Sequence, residues 1–191
     1  MDDTPAIFGP EHDAFREVLR RFLQTEVAPR MAEFEEAGII DRALWRKAGE
    51  LGLIGPAVPT EYGGPGGDFL HQLIVSEELG YNAACASAGV LFESGLPAMH
   101  ILGFGTEAQK RHWLPKVCAG EVILTIAMTE PHTGSDLQAI RTTAVRDGDD
   151  FVINGQKMWV TNGWRSAICM LLVKTDPTAV PAHTGMTGFI I

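Results

Sequence analysis

Two short runs that end in hydroxyl and turn residues are where this sequence could do chemistry. The first is Leu124-Thr125-Ile126-Ala127-Met128-Thr129-Glu130-Pro131-His132-Thr133-Gly134-Ser135-Asp136, and the second is Met158-Trp159-Val160-Thr161-Asn162-Gly163. In each, an apolar strand-like stretch gives way to Thr, Ser, Gly or Asn. Such an ending offers side-chain O–H groups and unpaired backbone N–H groups at the rim of a sheet. A rim of that kind can hold a flat ring with polar edges. Donors fixed at the edge of such a ring stabilise the negative charge that builds there when it takes up electrons. An indole such as Trp159 can cover one face and exclude water. The residues alone also allow a purely conformational reading of Thr129 to Asp136. Pro131 and Gly134 suit a turn, and Asp136 can cap whatever follows.

The elements that must position these runs change character along the chain. Phe15, Val18, Leu19, Phe22 and Leu23 form one apolar stripe on a helix that starts near Pro10 and ends before Pro29. Asp41 can cap a helix carrying Leu44, Trp45, Ala48 and Leu51, with Gly52 as its stop. Asp68 can cap the next, with Leu70, Leu73, Ile74 and Leu79 inward. The small residues from Ala83 to Gly89 suit a closely packed helix. Thr106-Glu107-Ala108-Gln109 reads as a capping box that opens a helix through Trp113, with Pro115 near its end. After Gly120 the period shortens. Val122 to Met128, Thr142 to Arg146, Ile168 to Lys174 and Gly188 to Ile191 read as strands. Asp147-Gly148-Asp149-Asp150 reads as a turn, and Phe151 to Val160 as a hairpin turning at Asn154-Gly155. The expected fold is α+β: an N-terminal all-α helical domain over residues 1–120, then the start of an antiparallel β-barrel-like domain over residues 121–191.

Composition narrows the function classes. The net charge of the 191 residues is −9, with no basic stretch, which argues against nucleic-acid binding. Arg141, Arg146, Lys157 and Arg165 lie near the two runs, and a solvated face is their ordinary role. No apolar run reaches the length of a membrane span. Cys85, Cys118 and Cys169 are odd in number and lack zinc-ligand or disulfide spacing, as befits reduced thiols. His71, His100, His112 and His183 have no partner spacing, so no metal is expected. The acidic start Met1-Asp2-Asp3-Thr4-Pro5 is neither a secretory nor a transit signal, and a cytoplasmic location follows as the expectation.

Taken with Glu77-Glu78-Leu79-Gly80, Phe104-Gly105-Thr106-Glu107-Ala108-Gln109-Lys110 and Asn154-Gly155-Gln156-Lys157, the two runs resemble the acyl-CoA dehydrogenase family over the whole chain. The resemblance implies FAD as cofactor. Ile126, Ala127, Met128, Thr129, Gly134 and Ser135 would form the first flavin-contacting segment, with Thr129 bonding the pyrimidine edge. Ser135 would lie where a flavin phosphate contact and the acyl-CoA thioester arm meet. Trp159 would cover the flavin face away from substrate, and Thr161 would donate toward N5. Backbone groups near Met128 and Val160 would complete the cradle. One departure stands out: His132 and Thr133 replace the Gly and Ala common in the family. The His132 ring could reach a phosphate or point to solvent. Glu130 reads as an acceptor that stabilises a turn, not as a base.

The reaction the resemblance implies is α,β-dehydrogenation of an acyl-CoA thioester in fatty acid metabolism. A Glu of a C-terminal helical domain removes the α-proton while the β-hydrogen leaves as hydride to flavin N5. Both family positions for that Glu lie beyond Ile191, so no catalytic residue is assigned. The 191 residues alone are expected to bind FAD weakly or not at all and to turn over no acyl-CoA. Electron transfer flavoprotein would be the electron acceptor, and intact family members are homo-oligomers, tetramers or dimers. Acyl-CoA oxidases and flavin monooxygenases share the fold, and Thr129 and Thr161 do not separate them. A split flavoenzyme half and a non-catalytic interaction module are the alternatives. The acyl pocket floor would come from residues 88–99, with Phe92, Glu93 and Leu96 as candidates.

Overall fold

The computed structural model describes residues 7–82 and 88–191. The acidic N-terminus and most of the small-residue stretch from Ala83 lie outside the described residues. The chain divides into two compact units, Met1–Val122 and Ile123–Ile191. Among the described residues no helix is long and apolar enough to cross a membrane.

The first unit is helical. Helix α1 spans Pro10–Phe22 and runs on through a π-turn, Leu23–Val27, which keeps Leu19, Phe22, Leu23 and Val27 buried as one stripe. A short helix α2 (Met31–Ala37) ends at Gly38 in the left-handed region (φ 64). Asp41 caps α3 (Arg42–Glu50) by accepting from the Leu44 amide at 3.0 Å. Leu51, expected to face inward, is 41% exposed because α3 has already ended at Glu50. Asp68 caps α4 (Phe69–Tyr81), which turns Ile74, Val75 and Glu78 into the core. Leu70, Leu73 and Leu79 are half-buried. Two short helices follow, α5 (Gly89–Phe92) and α6 (Gly95–Phe104). In α7 (Glu107–Cys118), Thr106 and Gln109 form the expected capping box, and Pro115 is accommodated near the end. Removing that cap in Thr106→Ala is expected to lower stability by about 1 kcal/mol, read as a shift of the urea midpoint without a change in slope.

Polar groups brace the N-termini of α1 and α4. The His12 Nδ1 accepts from the Gly9 amide at 2.9 Å, which places the ring proton on Nε2, where it donates to Asp68 at 3.1 Å. His71 Nδ1 meets the same carboxylate at 2.8 Å. These bonds hold Asp68 ionised far below its usual range, chiefly through His71. Asp68 and His71 are neighbours in sequence, but His12 comes from 56 residues away, and that separation hid the group from spacing arguments. Deeper along the same pair of helices, the buried Glu78 takes Arg16 at 2.7 Å and Arg20 at 2.6 Å.

The second unit is a five-stranded sheet: β1 (Leu124–Ala127), β2 (Thr143–Asp147), β3 (Asp150–Asn154), β4 (Ile168–Lys174) and β5 (Met186–Ile190). A helical unit followed by a partial sheet unit is the architecture expected. The pairing, however, is mixed where antiparallel strands were expected throughout. β2–β3 and β4–β5 are antiparallel, but β1 and β2 each meet β4 in parallel. The long excursion between β1 and β4 through residues 128–167 is what a parallel pair requires. Ala127, Ala144, Leu171 and Val173 form the core of this sheet, with Ile153, Val160, Cys169 and Phe189 packed on it.

The hairpin turns at Gly148 (φ 62) and Asp149, with Asp147 opposite Asp150. The Asn154-Gly155 pair does not turn a hairpin, and Gln156 to Val160 is not a strand. Thr142 packs directly against Gly155, where an added Cβ would lie 2.6 Å from the Thr142 Cα. The chain therefore leaves the sheet at that point and crosses to the end of β1.

Candidate functional site

The crossing brings the two hydroxyl-bearing runs side by side. Past the end of β1, the Thr129 carbonyl accepts from the Met158 amide at 2.9 Å, and the Met128 carbonyl accepts from Lys157 Nζ at 2.9 Å. A short bond from Thr125 Oγ1 to the Thr161 carbonyl closes the far end. Residues 125–130 and 157–161 thus form one continuous rim. Among the described residues, the hydroxyls of Thr129 and Thr161 have no hydrogen-bond partner. Both are half-buried, so each hydroxyl can still be reached by a ligand.

Trp159, next to Met158 on the second run, has φ 56 and is 84% exposed. A bulky residue in the left-handed region is a genuine outlier, and such outliers gather at ligand sites. Asn162 follows with φ 61, and the chain then turns through residues 161–165, where Trp164 is 98% exposed. Sequence reasoning passed over Trp164.

The candidate residues fall into three groups. Met128, Thr129, Trp159 and Thr161 share the rim. Ala127 is buried and Val160 packs against the same core, so each can offer only backbone groups; Ile126, on β1, is half-buried. Gly134 and Ser135 stand apart on the exposed loop that leaves Glu130. That loop is held by its own bonds: a Glu130–Thr133 bridge, Thr133 Oγ1 to the Asp136 carbonyl at 2.5 Å, and His132 Nε2 against the Ala139 carbonyl at 3.2 Å. The His132 ring is therefore occupied in closing the loop.

Glu130 is the polar centre of the unit. Its carboxylate accepts from the Arg141 amide (2.6 Å), the Thr142 amide (2.9 Å), Thr142 Oγ1 (2.6 Å) and Lys157 Nζ (2.9 Å). Burial alone would raise its pKa. The bonds from Thr142, Lys157 and the Arg141 amide outweigh burial and bring it from 4.5 down to about 2. A carboxylate so fully engaged is a poor proton acceptor, in keeping with an anchoring role. Lys157, expected on a solvated face, is instead buried, its side chain 8% exposed. The signal for it was the Glu130-Pro131 pair: a carboxylate inside a tight turn needs a partner, though its identity could not be read locally.

In the helical unit, taken by itself, a cavity of about 840 Å³ opens among α4, α5 and α6. Val75, Leu79, Phe92, Leu96 and Met99 give it an apolar wall, and Glu93 adds a carboxylate. Phe92, Glu93 and Leu96 are the residues expected to floor an acyl pocket.

Comparison with known proteins decides the lineage. The family model described as acyl-CoA dehydrogenase, N-terminal domain, matches residues 9–121, and the one for the middle domain matches residues 125–191. The chain belongs to the acyl-CoA dehydrogenase family. It is 44% identical to the mitochondrial long-chain specific acyl-CoA dehydrogenase of Sus scrofa, over 96% of this chain and 45% of that protein. It superposes on an acyl-CoA dehydrogenase from Geobacillus kaustophilus with TM-score 0.87 and 41% identity, covering 98% of this chain and 49% of that one. A glutaryl-CoA dehydrogenase from Mycobacterium smegmatis, solved in complex with FADH2, matches with TM-score 0.87 and 29% identity, over 99% and 47% of the two chains. The chain thus spans a little under half the length of these relatives. The family is flavin-dependent, and the rim described above has the donor set that a flavin edge calls for.

Proposed function

We propose that this chain carries the flavin rim and part of the acyl-binding wall of an FAD-dependent acyl-CoA dehydrogenase. The observation that carries the reading is Trp159: an exposed residue held at φ 56, directly after the Met158 amide that bonds Thr129 and two residues before Thr161, where the hydroxyls of both threonines have no hydrogen-bond partner among the described residues. Strain of that kind persists only where the surroundings enforce it. Bound FAD would supply the hydride acceptor. The chain's own groups would hold and polarise the ring. Thr129 Oγ1 would donate to the pyrimidine edge and Thr161 Oγ1 toward N5, with amides near Met128 and Val160 completing the cradle. Trp159 covers one ring face and excludes water. Donors fixed before reaction stabilise the charge of the reduced ring without reorganising. Ser135, exposed on its separate loop, would be free to meet a phosphate or the thioester arm of an acyl-CoA.

In the family the base belongs to a C-terminal helical domain, and no residue of this chain is assigned that role. In the whole enzyme, an acyl-CoA is the substrate, electron transfer flavoprotein the acceptor, and a homo-oligomer the working form. The apolar cavity of the helical unit suits an acyl chain.

Titration of FAD into the 191-residue polypeptide, followed by flavin fluorescence, tests the reading. Weak, saturable quenching is expected. Trp159→Ala should reduce the affinity about tenfold, as for the loss of one stacking contact, at an unchanged melting temperature. Protein that purifies yellow with tightly held FAD would contradict the need for a further domain. Saturable quenching that Trp159→Ala leaves unchanged would contradict the rim itself.

A further inference from the structure

We propose that Lys157 and Glu130 are positioning residues: together they clasp the two runs of the rim and so set the spacing between Thr129 and Trp159–Thr161. The inference rests on the flavin reading of that rim. Its basis is the placement of one buried ammonium. Lys157 Nζ donates both to the Met128 carbonyl and to Glu130 Oε1, each at 2.9 Å, so it grips the residues on either side of Thr129. The next amide along the chain, Met158 N–H, donates to the carbonyl of Thr129 itself. One residue further on is Trp159, whose backbone departs to φ 56. The strained residue therefore starts immediately after the point of attachment.

Glu130 gives the clasp a fixed base. Three of its four bonds go to Arg141 and Thr142, at the entry to β2. The carboxylate is thus anchored to the sheet, and Lys157 carries that anchorage across to the second run. Thr125 Oγ1 on the Thr161 carbonyl holds the other end. An ion pair that only filled space could be exchanged for apolar side chains of similar volume. Such a pair would not also need to reach a backbone carbonyl, as Lys157 does at Met128. An arginine keeps the charge and several donors; a methionine keeps only the bulk.

Lys157→Met and Lys157→Arg, compared with the wild-type chain, separate positioning from general stability. Two readouts are needed: amide hydrogen exchange without ligand, and FAD titration with the absorption spectrum of the bound flavin. In Lys157→Met, the Met158 amide should gain exchange by at least about tenfold more than the amides of Leu171 and Val173 on β4, which report the stability of the sheet unit as a whole. FAD affinity should fall by about tenfold or more, with a changed flavin spectrum. Lys157→Arg should recover most of both. The proposal is overturned if in Lys157→Met the Met158 amide loses no more protection than the β4 amides do, or if that variant binds FAD with wild-type affinity and spectrum. A wild-type chain with no flavin response would count against the flavin reading, and the exchange comparison alone would then decide whether the clasp exists.

Discussion

Glu130→Ala is expected to destabilise the sheet unit by about 3–5 kcal/mol, the range seen when one partner of a buried pair is removed. The reason lies in what stays behind. Lys157 would keep a cation whose side chain is 8% exposed, with only the Met128 carbonyl left to receive it. The Thr142 hydroxyl and the Arg141 and Thr142 amides would lose their acceptor. Unfolding followed by amide exchange on β4 checks the magnitude, and a loss below about 1 kcal/mol would show that water replaces the carboxylate freely. The same group sets a pH dependence. Its folded pKa, about 2, lies below the ordinary 4.5. The stabilisation is therefore complete above about pH 4.5 and is lost as the pH falls toward 2. It amounts to roughly 3 kcal/mol by linkage. Glu130→Gln should flatten that acid limb.

Glu78→Ala should have the second largest effect, about 3 kcal/mol on the helical unit. Glu78 is 2% exposed and binds both Arg16 and Arg20. Losing it strands Arg16, whose side chain is 11% exposed. Arg16 retains Glu77 at 2.7 Å, which places the expected loss at the low end for a broken buried pair. Arg20, half in solvent, rehydrates at little cost. Because α1 and α4 pack through this pair and α4 lines the cavity, the variant should also loosen the cavity wall. Faster amide exchange at Val75 and Leu79 would report it, and unchanged exchange with a small loss of stability would contradict it.

What could be read in the sequence follows a physical divide. Helix starts at Asp41, Asp68 and Thr106 were legible because a cap is a local contract between a side chain and an amide two or three residues away. The strands at Leu124, Thr143 and Ile168 were legible from apolar, β-branched runs. The hairpin was misplaced because two turn signals competed within a few residues. Asn154-Gly155 looks the stronger, but contact of Gly155 with Thr142, twelve or more residues back in the chain, decides against it. The parallel pairing of β1 with β4 is likewise a tertiary outcome. At the rim, the residue types were readable and their adjacency was not. Nothing local says that Lys157 turns inward, or that Thr125 reaches the Thr161 carbonyl. Phe92, Glu93 and Leu96, candidates for the floor of an acyl pocket, line an apolar cavity in the helical unit.

The central claim is that hydroxyls and an indole from two separate runs address one planar ring. The most direct measurement is a ¹⁵N-resolved NMR titration of the chain with FAD. The amides of Met128, Thr129, Val160 and Thr161 and the indole N–H of Trp159 should shift together along a single binding curve, with the strongly exposed indole of Trp164 responding less. Shifts confined to the Gly134-Ser135 loop or to Trp164, with the Thr129 and Thr161 amides unmoved, would contradict the account.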